Sequence, residues 1–302
     1  MGFEWSGEFF RLFSSITGSF FRVLPFMFVG VGVGAFLETW QWNRNIAMLL
    51  SRKHSSAIVM AAVAGTFSPL CSCGVIPGIA SLLIAGVPMA PVMAFWVSSP
   101  LMNPEAFVIT YGTLGSSFAV VRVVSTLTIG LMAGYGIAYL GKRGFLADQI
   151  KVGKEEEEKT LCCKDQVSRW KQFGKRWLSL CLHIGKYMIL AFAIEAIMVE
   201  YFEMDWMAEV FGRQSHFGPL FAGVLGIPLY TSGIAGIPLI RGMMDLGMDQ
   251  GSALAFLIGG AATSIPAMIA VSSLVKRKTF LLYLLFTMGG AVTFGYAYRL
   301  FT

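Results

Sequence analysis

Ser68-Pro-Leu-Cys-Ser-Cys-Gly-Val-Ile-Pro77 breaks an apolar run with two thiols one residue apart and two prolines. Pro69, Gly74 and Pro77 each disfavour an uninterrupted helix. The stretch therefore reads as a break between two short helical segments, residues 56–70 and 75–85, each too short for a full crossing. Backbone freed in this way is tolerated at membrane depth only where it is buried in protein or lines a watery cavity. That makes the stretch a candidate substrate site in a re-entrant hairpin.

The surrounding chain supplies the membrane. Of its 302 residues, 56% are hydrophobic and 13% charged, against roughly 25% charged in soluble domains. Apolar runs of about 20 residues, the length of a spanning helix, recur from residue 22 to the C-terminus. The expected fold is an all-α integral membrane protein, a polytopic helical bundle. Residues 3–21 suit an interfacial helix, residues 22–40 and 178–202 suit spans, and residues 106–140 read as one long helix containing Arg122. An arginine there is either partnered, facing a cavity, or close to an interface.

The net charge of +6 belongs to basic residues lying between apolar segments, which form no stripe for a nucleic acid. They act as topology signals instead. The loop at 40–54 carries Arg44, Arg52 and Lys53 without an acid, whereas its counterpart at 200–216 carries Glu200, Glu203, Asp205 and Glu209 with Arg213. Residues 141–176, with the Glu155–Glu158 run and Cys162-Cys163, read as a solvated cytoplasmic linker. No signal-peptide order is visible at the start, and the chain is read as mature from Met1.

The second half replays the first. Pro69-Leu-Cys-Ser-Cys-Gly-Val returns in outline as Pro228-Leu-Tyr-Thr-Ser-Gly-Ile, and Ala94-Phe95 as Ala255-Phe256. Because corresponding loops differ in charge character, the positive-inside rule sets them on opposite faces. The expected architecture is two inverted-topology repeats, residues 1–140 and 177–302, joined by the linker at 141–176. Each half holds three crossings and one broken or re-entrant hairpin. The segment 217–240 is expected to break at Gly226, Pro228, Gly233, Gly236 and Pro238.

In such a carrier, substrate binds near the midplane where broken segments meet. The first tip offers Cys71, Ser72, Cys73, Gly74 and Pro77; the second offers Tyr230, Thr231 and Ser232. Two neighbouring thiols suit a soft species such as a trivalent arsenical or a copper(I)-type ion, so Cys71 and Cys73 are the candidate metal ligands. Equally, they are small residues that pack well in a tight break. Cys181 reads as a core residue.

Glu195, inside an apolar run, and Glu105 are the candidate proton-coupling acids; Glu38, Asp245 and Asp249 read as interface or loop residues. Ser98, Ser99, Asn103, Thr263 and Ser264 either line a pathway or bond between helices. No nucleotide loop, catalytic triad or paired metal motif is present, so neither an enzyme nor a bound cofactor is expected. The expected partners are membrane lipid and a small-molecule or metalloid substrate, with homo-oligomerisation left open.

With the Cys71-Ser72-Cys73-Gly74-x-x-Pro77 element and its echo at 227–238 in view, the chain resembles the ArsP-like permease family, also called the YraQ-type predicted permeases. The resemblance implies an efflux permease of the inner membrane, with some members exporting trivalent organoarsenicals. Two rivals remain: a facilitative permease or channel for a small sulfur-containing or neutral solute, and a membrane thiol–disulfide oxidoreductase using the two cysteines as a redox pair.

Overall fold

The structure, a computed structural model, describes residues 54–68, 87–143, 217–229, 233–245, 247–263 and 275–301, with positions 75, 79, 82, 83, 174, 178 and 268. The expected interfacial helix at 3–21, the spans at 22–40 and 178–202, and most of the linker lie outside the described residues. The described elements are all helical: α1 (His54–Thr66), α2 (Met89–Leu101), α3 (Pro104–Leu114), α4 (Ser116–Lys142), α5 (Gly218–Leu229), α6 (Gly233–Asp245), α7 (Gln250–Thr263) and α8 (Arg277–Phe301).

Length sorts these helices into two kinds. At 1.5 Å per residue, α4 with 27 residues and α8 with 25 exceed the roughly 30 Å of a hydrocarbon core. Both are apolar enough to cross it. Helices α2 and α3, with both ends described, have 13 and 11 residues and are too short to cross alone.

The single helix expected over 106–140 is two helices. Gly115 adopts φ 93°, a left-handed conformation that side chains resist, and it separates α3 from α4. Upstream, Pro100 closes the last turn of α2, Met102 is extended, and Asn103, extended at φ −141°, ψ 165°, caps α3. The extended backbone of Asn103 follows from Pro104, which excludes the helical region for the residue before it. Its side-chain oxygen accepts from the Ala106 N–H at 2.6 Å.

The breaks expected at Gly226, Pro228, Gly236 and Pro238 are likewise absent, since α5 and α6 run through those positions. Residues 230–232, between α5 and α6, lie outside the described residues. Proline inside a membrane helix is tolerated where neighbouring groups satisfy the freed backbone.

Contacts at small residues set the packing. Gly65 of α1 lies against α2, where an added Cβ would come 2.7 Å from the Phe95 carbonyl oxygen and 3.0 Å from Ser98 Cβ. Ile58, near the start of α1, shares Gly134 of α4 with Ala90 and Ala94 of α2. Helices α1 and α2 therefore run parallel and α4 runs antiparallel to both. In the second half, Gly218 meets Ser252 and Gly226 meets Phe256 and Gly260, so α5 and α7 are parallel. Gly251 lies against Gly295, and Ala262 against Tyr283, so α8 is antiparallel to α7.

The correspondence is residue by residue. Gly65 faces the Phe95 carbonyl as Gly226 faces that of Phe256; Gly134 faces Ala94 Cβ as Gly295 faces that of Ala255. One offset, 161 residues, the difference between 65 and 226, relates every member of these pairs. Lipid is as apolar as leucine, so membrane helices associate through close packing, and small residues permit the close approach. Residues Gly251 through Thr263 of α7 are all buried, as expected of a helix that is apolar on every side.

The two modules meet along α4 and α8. Phe118 stands edge-on to Tyr298 with centroids 5.7 Å apart, Ile129 lies against Gly290, and Gly136 lies against Phe286. Rising numbers on α4 meet falling numbers on α8, so these helices are antiparallel. The Arg143 end of α4 and the Lys276-Arg277-Lys278 start of α8 consequently share one end of the bundle.

Candidate functional site

The candidate tips lie in the chain between helices that pack parallel, α1 and α2 in the first half and α5 and α7 in the second. Because α1 and α2 are parallel, residues 69–88 must return the length of α1 before α2 begins. Positions 75, 79, 82 and 83 on that return are helical, and Val75, Ile79 and Leu83 are buried at a spacing of four residues. That spacing puts one helical face into the core. Ser68, just before the break, is also buried. Cys71, Ser72, Cys73, Gly74 and Pro77 themselves lie outside the described residues, bracketed by these buried flanks.

In the second half, α5 is described as far as Leu229 and α6 from Gly233. Tyr230, Thr231 and Ser232 fill the interval and lie outside the described residues. Helix α6 then packs on α7 and reaches across to α3 of the first half. There Arg241 Nη1 donates to the Thr113 carbonyl at 3.2 Å, and Arg241 Nε pairs with Asp245 at 3.3 Å.

Of the two proton-coupling candidates, Glu195 lies outside the described residues. Glu105 sits exposed in the first turn of α3, where the positive end of the helix dipole favours a carboxylate. Asp249, read as a loop residue, caps α7 by accepting from the Gly251 and Ser252 N–H groups at 2.9 and 3.0 Å. Among the described residues, no three His, Cys, Asp or Glu side chains are grouped to hold a metal ion.

The polar side chains at the kinked ends serve the helices. Asn103 is a cap, and the Thr263 hydroxyl donates to the Gly259 carbonyl at 2.6 Å. Ser98 is fully buried, its Oγ without a hydrogen-bond partner and seated against Gly130. Ser264 lies outside the described residues.

Arg122, left open between a partner and an interface, is fully buried and partnered. Its Nη1 donates to Thr110 Oγ1 at 2.8 Å and its Nη2 to the Leu101 carbonyl at 3.4 Å. One guanidinium from α4 thus grips the end of α2 and the middle of α3. The equivalent position in the second half is Tyr283, whose hydroxyl donates to the Ala262 carbonyl at 2.5 Å. The offset of 161 residues carries 122 to 283 and 101 to 262. Tyr283 also stacks on Trp96 of the first half at 5.3 Å. Sequence reading missed this pair, since the repeat had been recognised at the tips and not along α4 and α8.

Comparison with known proteins agrees with the geometry. A family model described as "Predicted permease" (ArsP_1) matches residues 6–300. A Bacillus subtilis protein named "UPF0718 protein YcgR" is 24% identical over 91% of this chain and 92% of its own length. "UPF0718 protein YraQ" of Escherichia coli is 27% identical over 70% of this chain and 57% of its own length. A Streptococcus mutans protein named "Putative two-component membrane permease complex subunit" is 23% identical over 60% of each chain. No solved structure matches.

Proposed function

The chain belongs to the ArsP-type predicted permease family, and from that premise we propose that it is a secondary active efflux permease for a thiophilic cargo, a trivalent organoarsenical or a related metalloid or soft metal. Its repeats, residues 1–140 and 177–302, have inverted topology, and the linker at 141–176 is cytoplasmic in an inner-membrane protein. The observation that carries this reading is the shared offset of the two modules together with the antiparallel packing of α4 on α8. Equivalent helices that cross in opposite directions are what an inverted repeat requires. The shared basic end formed by Arg143 and residues 276–278 agrees with a cytoplasmic face there.

Within this reading the two breaks are re-entrant tips that meet near the midplane. Cys71 and Cys73 supply soft ligands, held by the Ser72, Gly74 and Pro77 backbone; Tyr230, Thr231 and Ser232 complete the site from the opposite tip. Two thiolates make a partial shell, which suits an arsenical that brings its own organic group. Proton coupling runs through Glu195 or Glu105.

Replacing Cys71 and Cys73 together with serine tests the site. Cells carrying the double variant should lose resistance to trivalent arsenicals while retaining the protein in the membrane; full resistance would remove the thiols from the mechanism. The name of the Streptococcus mutans relative, a permease complex subunit, favours a second element, a partner subunit in the membrane. Copurification of the full chain with a second membrane protein tests that element.

A further inference from the structure

We infer that the basic end of the α4–α8 seam binds an anionic phospholipid, whose phosphate joins Arg143 of the first half to Arg277 of the second. The site requires a chain embedded in the bilayer and is independent of the cargo. Gly136 of α4 lies against Phe286 of α8. At 1.5 Å per residue, Arg143 stands about 10 Å beyond that contact on α4 and Arg277 about 14 Å beyond it on α8. Because the helices are antiparallel, both displacements point the same way. The two arginines therefore share one level of the bundle. Both are exposed, as is Lys278 beside them.

Charge is sorted along the two long helices. Among the described residues the acids belong toward the opposite end. Asp249 caps α7, where Gly251 meets Gly295 and Arg299 in the last turns of α8. Asp245 pairs with Arg241, which reaches the Thr113 carbonyl just before α4 begins, and Glu105 opens α3, the helix that leads to that point. A patch of one sign at the other end is complementary to an anion.

Depth assigns the anion to a lipid. From Ser116 to Arg143 the chain rises about 40 Å, the thickness of the hydrocarbon core with its headgroup regions, so Arg143 reaches the headgroups. The stripe of α4 that leads to it is exposed and apolar at Val124 and Met132, then aromatic at Tyr135 and Tyr139. Met132 lies about 16 Å from Arg143, roughly the hydrocarbon depth of one leaflet. An acyl chain can follow this stripe while its phosphate meets the guanidinium. A soluble anion would use the charges and leave the stripe idle.

Arg143 is already oriented for such a contact. Its guanidinium lies 4.8 Å from the centre of the Tyr139 ring, and its Nη2 donates to the Tyr139 hydroxyl at 2.5 Å. Tyrosines at this depth suit the membrane interface. The guanidinium carries five N–H donors, so the bond to Tyr139 leaves others for phosphate oxygens, which arginine binds in pairs. A headgroup held by Arg143 and Arg277 together ties the two halves at the level where their long helices meet solution.

Native mass spectrometry of the full chain, released from equal amounts of phosphatidylglycerol and phosphatidylcholine with identical acyl chains, tests the site. One basic residue at an anionic surface is worth about fivefold in affinity, so the parent protein should retain phosphatidylglycerol by about 25-fold over phosphatidylcholine. Arg143→Gln and Arg277→Gln should each lower that preference about fivefold. Arg241→Gln removes the same charge at the opposite end and should leave it unchanged. Arg143→Lys keeps the charge and should stay within about twofold of the parent; a fall as deep as that of Arg143→Gln would mark disturbed folding and overturn the role of Arg143. An equal fall in Arg241→Gln reveals a net-charge effect, and an unmoved preference in Arg143→Gln and Arg277→Gln removes the site. Displacement of the retained lipid by inorganic phosphate likewise overturns the assignment, by showing a site for a soluble anion.

Discussion

Ile129 of α4 and Gly290 of α8 touch, and they are each other's equivalents, separated by the same 161 residues that relate the two modules. In the proposed inverted repeat, a contact between equivalent positions lies on the axis that exchanges the halves. The glycine is needed there because a Cβ at 290 would come 2.6 Å from Ile129 Cγ1. Gly290→Val should therefore destabilise the bundle by about 1–3 kcal/mol through overpacking. Adding Ile129→Ala should recover most of the loss, as read from unfolding midpoints in detergent; independent effects of the two changes would place the contact elsewhere.

Antiparallel packing of α4 and α8 fixes which ends face the same solution. In a chain stripped of its native cysteines, Arg143→Cys and Lys278→Cys should react with an impermeant maleimide from one side of the membrane. Ser116→Cys, at the other end of α4, should react from the opposite side. All three positions are exposed. Labelling of 143 and 278 from different sides would contradict the arrangement.

The grip of Arg122 on Thr110 has a magnitude. Thr110→Val keeps the shape and deletes an acceptor of a buried guanidinium, which should cost about 1–3 kcal/mol. Thr293→Val, at an exposed position on α8, should stay within about 0.5 kcal/mol. Equal shifts in thermal midpoint for the two variants would show that the Thr110 bond contributes nothing special.

Two aspartates four residues apart should behave differently. Asp249 caps α7 through two backbone N–H groups, so Asp249→Ala should cost about 0.5–2 kcal/mol. Asp245 pairs with Arg241 in an exposed geometry, 62% and 52% accessible, where screening and side-chain entropy leave at most about 1 kcal/mol. The ranking can be read by denaturation of the purified protein, and a larger loss from Asp245→Ala would reverse it.

Much of this architecture was legible from particular residues. Asn103-Pro104 announces the α2–α3 corner because a capping side chain precedes a proline that can only begin a helix. The hydropathy of 277–301 likewise gives α8 directly. Gly115 was not legible: it sits in continuous apolar sequence, and a lone glycine in a helical pattern is more often tolerated than broken. The prolines at 228 and 238 misled in the other direction, since each lies within a helix although proline locally disfavours one. Gly130 and Gly134, four apart and facing α2, carry a small-residue signal that is readable in the sequence. The partners of Arg122 come from 12 and 21 residues away, beyond any local pattern. The tips remain a matter of sequence alone, because their residues lie between described flanks.

The buried guanidinium also bears on how the protein is made. Arg122, the seventh of the 27 residues of α4, is a costly residue to place in a membrane segment, and α4 must meet that cost as it leaves the ribosome. Two groups that accept from it, Leu101 and Thr110, lie earlier in the chain, so they have already been synthesised when Arg122 emerges. These two hydrogen bonds can thus form before the second half exists. Tyr283 then arrives to find Trp96 already in place, and the later half is assembled on the earlier one as its template.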